Sequence, residues 1–329
     1  MDPRKLEVVR EIETVVAENL KFLRSVKDSW QPLDYLPDSS ATDWFEQVRE
    51  IRRAAEGLSD ELLVVLVGDT ITEEALPSYQ TALNRLEGMI DPSGTSDRPF
   101  ALWSRGWTAE ENRHGDLLKM YLYLTGRVDM RAVETTTQHL IRNGFNMKDD
   151  RDPYKAFIYT SFQERATKVS HANCGKLAES AGDSRLRKIC SMIASDEARH
   201  ESAYKAFMGA IFRLDPEGAI VAFRDMMKTR ITMPASQMDN SEDGPLFGPY
   251  ATVAQRLGVY TLRDYADIVE HLVSIWEIAG IPSLQGDAAR AQEDLCGFAS
   301  RYRQMADRFQ LKSQQESPKA FSWIFGRSA

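Results

Sequence analysis

Glu110-Glu111-Asn112-Arg113-His114 and Asp196-Glu197-Ala198-Arg199-His200 are the stretches on which the reading of this chain turns. Each contains Glu-x-x-His. In a helix a three-residue step places carboxylate and imidazole on one face, about one turn apart, where both can reach one metal ion. One such pair is an ordinary solvated contact. Two pairs, drawing on a chain with only 5 histidines, are a pattern. Both sit in segments of helical periodicity, over about 101–125 and about 184–212.

A dinuclear carboxylate site in a four-helix bundle takes one more glutamate from each of two other helices. Glu73 (Ile71-Thr72-Glu73-Glu74-Ala75) and Glu164 (Phe162-Gln163-Glu164-Arg165-Ala166) lie among apolar neighbours, each one helix upstream of a Glu-x-x-His. Burying a carboxylate without a partner is costly, and a shared metal gives a physical reason for burial. Four carboxylates neutralise two divalent ions. Oxygen and nitrogen donors without thiolate suit iron or manganese, whereas a single zinc needs only about four ligands. Pro77, four residues past Glu73, lacks the N–H that the Glu73 carbonyl would accept, so a kink there is expected to help place Glu73.

The rest of the chain is read as helical. Leu6, Val9, Ile12, Val16, Leu20 and Leu23 recur at helical steps. Further helices are expected over about 43–56, 60–89, 130–143, 154–181, 217–229, 261–279 and 287–312. Residues 30–40 and 234–249 read as irregular. The short apolar run Leu62 to Val67 is ambiguous between helix and strand. The 19 glycines and 13 prolines are sparse punctuation, which favours long helices. The expectation is an all-α fold, a four-helix bundle enlarged by additional helices, in one domain over residues 1–329. The apolar tail Phe321-Ser322-Trp323-Ile324-Phe325 must dock.

With 329 residues, 43% hydrophobic, 27% charged and a net charge of −8, the composition is that of a globular protein. The acidic balance argues against nucleic-acid binding, and no apolar run is long enough to span a bilayer. Neither a signal peptide nor a transit peptide is visible, which reads as a cytosolic or a processed organellar protein. Cys174, Cys190 and Cys296 are widely spaced and odd in number, and read as three buried reduced thiols.

The chain resembles the soluble acyl-acyl-carrier-protein desaturase family of the stearoyl Δ9 type, a ferritin-like di-iron family. The matching stretches include Trp30-Gln31-Pro32, Val65 to Asp69, Ile71 to Pro77, Trp107 to Asp116, Tyr121 to Leu124, Gly126 to Met130, Phe157 to Thr167, Asp196 to Glu201, Asp225 to Met227, Ala254 to Thr261 and Phe321 to Phe325. They cover nearly the whole chain.

The resemblance implies a homodimer with two iron ions. Glu73, Glu111 and His114 would serve one iron and Glu164, Glu197 and His200 the other, with Glu111 and Glu197 bridging. Thr167 would face the oxygen pocket, with its hydroxyl also bonded back to its own helix. Trp30, His114 and Asp196 would form a route from surface to iron, with Trp107 a further candidate. The far end of the acyl channel would lie near Ala82, Leu86, Met147, Ala156 and Phe157. Methionine at 147 and alanine at 156 stand where the plant stearoyl enzyme has proline and glycine, and larger side chains there shorten a cavity.

The reaction implied is O2-dependent desaturation, placing a cis double bond in a saturated acyl chain on acyl carrier protein, in fatty acid biosynthesis. Ferredoxin would be the electron donor and the compartment a plastid stroma or a bacterial cytoplasm. An acidic carrier needs a local basic face. Lys21, Arg24, Lys27, Arg185, Arg187, Lys188 and Arg199 are candidates. The alternatives are another di-iron oxidase (an N-oxygenase or a radical-generating subunit) and a ferritin-like iron-binding protein. The flanking stretches and the tail disfavour the first, and chain length disfavours the second.

Overall fold

The computed structural model describes residues 2–329. Its α-helices are α1 (Pro3–Glu11), α2 (Glu13–Asn19), α3 (Trp44–Glu56), α4 (Asp60–Glu74), α5 (Leu76–Leu83), α6 (Pro99–Thr125), α7 (Met130–Asn143), α8 (Pro153–Ser180), α9 (Ser184–Leu214), α10 (Pro216–Thr229), α11 (Phe247–Leu257), α12 (Leu262–Ile275) and α13 (Gly286–Gln315). Among the described residues there are no β-strands, only isolated bridges at Asp239–Pro245 and Ala320–Ser328.

Helices α4, α6, α9 and α8 pack in a closed ring, each against the next, and form the central bundle. Each starts on a local signal. Ser59 caps α4 by accepting from Leu62 N at 3.1 Å. Asp152 caps α8 at Tyr154 N, with Pro153 in the first turn. Asp183 caps α9 at Leu186 N. Pro99 opens α6, and Gly126 closes it with φ 66°. Residues 62–73 of α4 are buried on every side, so the run Leu62 to Val67 is helical: a helix at the bundle centre needs no polar face.

Outside the ring, α10 and α12 pack on α8 and α13 packs on both of them, while α2 lies against α6 and α9. The tail docks on the bundle. Phe321, Trp323 and Ile324 are buried, and Trp323 Nε1 donates to Thr136 Oγ1 at 2.9 Å. Phe325 stays exposed.

Four expectations are corrected. The helix read over 60–89 is two helices divided at Ala75, because Pro77 falls in the first turn of α5. The helix read over 261–279 ends at Ile275, where Glu277 turns left-handed at φ 51°. Helix α11 occupies a stretch read partly as irregular, where Gly248 and Pro249 sit in its first turn and hide its periodicity. Cys296 is exposed, while Cys174 and Cys190 are buried.

Candidate metal centre

Glu73 comes from α4, Glu111 and His114 from α6, Glu164 from α8, and Glu197 and His200 from α9, all buried. Their donor atoms fall into two groups: Glu73, Glu111, His114 and Glu197; and Glu111, Glu164, Glu197 and His200. Within each group the donor atoms lie within 4.8 Å of one another, and Glu111 and Glu197 belong to both. Gly115 lets α6 approach α4 here. A Cβ on it would stand 3.2 Å from the Glu74 backbone nitrogen and 3.3 Å from the Glu73 carbonyl carbon. The break after Glu74 starts one residue beyond the donor.

The facing atoms fit cations better than one another. His200 Nδ1 is 2.7 Å from Glu111 Oε1 and 3.4 Å from Glu164 Oε2. His114 Nδ1 is 3.2 Å from Glu111 Oε2 and 3.3 Å from Glu197 Oε1. Yet Glu111 Oε1, Glu164 Oε2, Glu197 Oε1 and His200 Nδ1 are buried with no hydrogen-bond partner. A buried polar atom without a partner costs about 1–3 kcal/mol, and four converging here fit a chamber that could hold metal. Burial and the neighbouring carboxylates Glu197 and Glu111 push Glu164 well above the usual carboxylate range. Glu73 is pushed up to about 7, chiefly by burial.

Glu73, Glu164, Glu197 and His200 are each held from behind by a hydrogen bond, and His114 has Asp196 behind it. His114 Nε2 faces Asp196 Oδ2 at 3.6 Å, and Trp30 Nε1 donates to that same oxygen at 2.7 Å. The Trp30 ring lies nearly parallel to the His114 ring, with centroids 6.0 Å apart. Burial alone would raise the Asp196 carboxyl, but His114, Arg24 and Trp30 hold it well below its ordinary value. On the other side His200 Nε2 is 3.1 Å from Glu110 Oε2. Trp107 Nε1 donates to Glu164 Oε1 at 3.0 Å, and His171 Nε2 is 3.0 Å from Glu73 Oε1. The Thr167 hydroxyl lies 2.7 Å from Glu197 Oε2 and 3.1 Å from the Gln163 and Glu164 carbonyl oxygens.

Glu110 and His171 are additions to the residues read from the sequence. Glu110 was legible, since it precedes Glu111 as Asp196 precedes Glu197. His171 carried no local signal, because its partner Glu73 is far away in the chain. Arg24 and Arg199, read as candidates for a basic face, turn inward instead. Arg24 pairs with Asp196 at 2.6 Å, and Arg199 pairs with Asp196 at 2.7 Å and Glu110 at 3.3 Å. Arg185 is spent on the Tyr35 carbonyl at 2.6 Å, and Arg187 pairs with Glu179 at 3.2 Å.

Two cavities open on the donors. The first has an apolar wall of Leu76, Tyr79, Leu83, Phe145 and Met147 and reaches Glu73, Glu111, Glu164 and Glu197. The second shares Thr72, Glu73 and Thr167 with it and runs past Tyr250, Tyr260 and Tyr265. Of the five positions read as the channel's far end, Met147 lines the first cavity. Phe157 lines a neighbouring one, and Ala82, Leu86 and Ala156 are buried in the core and line neither of the two.

Four helices offering two glutamates singly and two Glu-x-x-His pairs to one chamber define a ferritin-like helical fold whose buried cluster could hold metal. The chain belongs to the fatty acid desaturase family, whose model matches residues 4–325. It is 50% identical over 329 residues to stearoyl-[acyl-carrier-protein] 9-desaturase 1, chloroplastic, of Arabidopsis thaliana, covering 99% of this chain and 84% of that one. It is 50% identical to the chloroplastic acyl-[acyl-carrier-protein] desaturase of Cucumis sativus, covering 99% and 83%. The fold also matches the X-ray structure of DesA2 of Mycobacterium tuberculosis H37Rv, described as an acyl-ACP desaturase. The TM-score is 0.54 at 19% identity, over 84% of this chain and 97% of that one. No helix among the described residues is long and apolar enough to cross a membrane.

Proposed function

We propose that this chain is a di-iron, O2-dependent desaturase that places a cis double bond in a saturated acyl chain carried on acyl carrier protein, with Δ9 of stearoyl as the default. The observation that carries the reading is the junction of an apolar cavity with two donor groups sharing Glu111 and Glu197. Glu73, Glu111 and His114 would hold one iron and Glu164, Glu197 and His200 the other, with Glu111 and Glu197 between them. Two irons bound there supply an oxidant derived from dioxygen, which C–H bonds without useful acidity require.

The protein's own residues do the rest. The apolar wall from Leu76 to Met147 orients the acyl chain and keeps water away. The two cavities meet at Thr72, Glu73 and Thr167, which allows a chain to lie across both and pass the donors. Thr167 offers a hydroxyl on that side of Glu197. Trp30 and Asp196 fix the His114 imidazole and provide a route inward from the first loop, while Trp107 and His171 fix the outer oxygens of Glu164 and Glu73. Reducing dioxygen to water takes four electrons. The two C–H bonds give two, and an external donor, ferredoxin, gives two. The working form is a homodimer of one-domain chains, in a plastid stroma or a bacterial cytoplasm.

Iron-loaded protein given stearoyl- or palmitoyl-carrier protein, ferredoxin, its reductase and dioxygen tests this, with products read by gas chromatography. A cis monoene that requires both ferredoxin and dioxygen is expected. No unsaturated product from either acyl length, with two irons bound per chain, would overturn the reading.

A further inference from the structure

We propose that Arg165, Lys168 and Lys205 form a recessed oxyanion site, where α12 packs on the α8–α9 pair, that takes one phosphate-class anion. Glu201 is buried, and its carboxylate is held by all three cations. Arg165 Nη1 and Lys205 Nζ are each 2.8 Å from Oε1, and Lys168 Nζ is 2.7 Å from Oε2. Among the described residues these cations have no other carboxylate within ion-pair distance. Around Asp196, by contrast, Arg24 and Arg199 meet two carboxylates, Asp196 and Glu110. Three cations on one carboxylate leave two positive charges unmatched in a chain whose net charge is −8.

The group is compact and partly buried. The three side chains are only 26%, 27% and 18% exposed, which admits an ion while limiting the screening that weakens surface charges. All three nitrogens reach one carboxylate, so they are gathered to the size of a single tetrahedral anion rather than spread as a patch. Each ammonium has three N–H groups and the guanidinium five, so donors remain after Glu201 is satisfied. His271 on α12 closes the group, with Nε2 3.2 Å from Lys205 Nζ and 3.3 Å from Glu201 Oε1. Burial, then Arg165, Lys205 and Lys168, push its pKa down to about 4, so it faces Lys205 as a neutral acceptor rather than a fourth cation.

The anion is either free phosphate or the phosphodiester of the carrier's prosthetic arm. Only the second source rests on the function proposed above. Melting temperature and phosphorus NMR linewidth are followed with inorganic phosphate against chloride at matched ionic strength, for the full chain and its Lys168→Gln/Lys205→Gln variant. A second arm measures affinity for carrier protein with and without its phosphorylated arm. A saturable stabilisation and line broadening by phosphate that weaken on the order of tenfold in the variant are expected for a free ion. A similar loss of carrier affinity, seen only when the arm is present, places the phosphate on the carrier. If phosphate behaves as chloride does and carrier affinity is the same for both chains, the site does not exist. The NMR measurement on the unaltered chain decides the first arm even where the variant fails to fold.

Discussion

His200 Nε2 on α9 stands 3.1 Å from Oε2 of Glu110 on α6, while His114 Nε2 on α6 faces Asp196 of α9 at 3.6 Å. Each Glu-x-x-His helix thus lends the acidic residue before its glutamate to the histidine of the facing helix. A hydrogen bond backs the His200 imidazole and a looser approach backs that of His114, and both Nδ1 atoms point into the chamber. Glu110→Gln is expected to weaken metal binding about 10–100-fold, and Asp196→Asn by a similar amount. Metal titration followed by the loss of free ion checks this. Unchanged affinity in both variants would show that these carboxylates only fill space.

Metal binding should tighten as pH rises. Burial pushes Glu73 up to about 7 and Glu164 well above its ordinary range, so near neutral pH the metal-free chain favours protonated Glu164 and holds Glu73 about half protonated. At His114 and His200 burial opposes the charged form, but the surrounding carboxylates override it and raise both pKa values. All four shifts have the same sign: a metal must displace protons, so affinity falls as pH drops, with Glu73 contributing through about 7. Calorimetry in buffers of different ionisation heat measures the protons released, and none released near pH 6 would contradict this.

Gly68 allows Tyr250 to lie against α4. A Cβ there would stand 2.1 Å from the ring, whose hydroxyl donates to the buried Asp69 at 3.0 Å. Gly68→Ala is therefore expected to destabilise the fold by about 1–3 kcal/mol through overpacking. Thermal unfolding at fixed pH reads the loss, and an unchanged midpoint would mean the ring can shift freely.

Met147 closes the first cavity beside Leu83 and Phe145. Met147→Ala should lengthen the space and move the ratio of kcat/KM towards longer acyl chains, on the order of tenfold per added methylene at most. Competition between palmitoyl- and stearoyl-carrier protein reads that ratio directly, and a ratio that stays put would place the end of the channel elsewhere.

The clustering of the six Glu and His residues was legible because helix periodicity and the Glu-x-x-His step are local. A four-helix ring then requires the lone glutamates upstream. Pro77 likewise announced the break beside Glu73, although its effect was larger than a kink: the helix stops at Ala75 and restarts. What stayed hidden depends on contacts between distant residues. His171 meets Glu73 only after α4 and α8 pack, and the inward turn of Arg24 and Arg199 follows from burial of Asp196 and Glu110 that composition cannot show. Helix α11 was masked by Gly248 and Pro249, which read as a turn but are tolerated in a first helical turn.

Metal content per chain tests the shared-donor geometry most directly, because Glu111 and Glu197 each belong to both groups. Iron should bind at two per chain in the unaltered protein, and Glu111→Ala or Glu197→Ala should each lose both ions and all turnover while keeping the helical fold by circular dichroism. Retention of two irons and activity in either variant would contradict a centre in which these two carboxylates are shared.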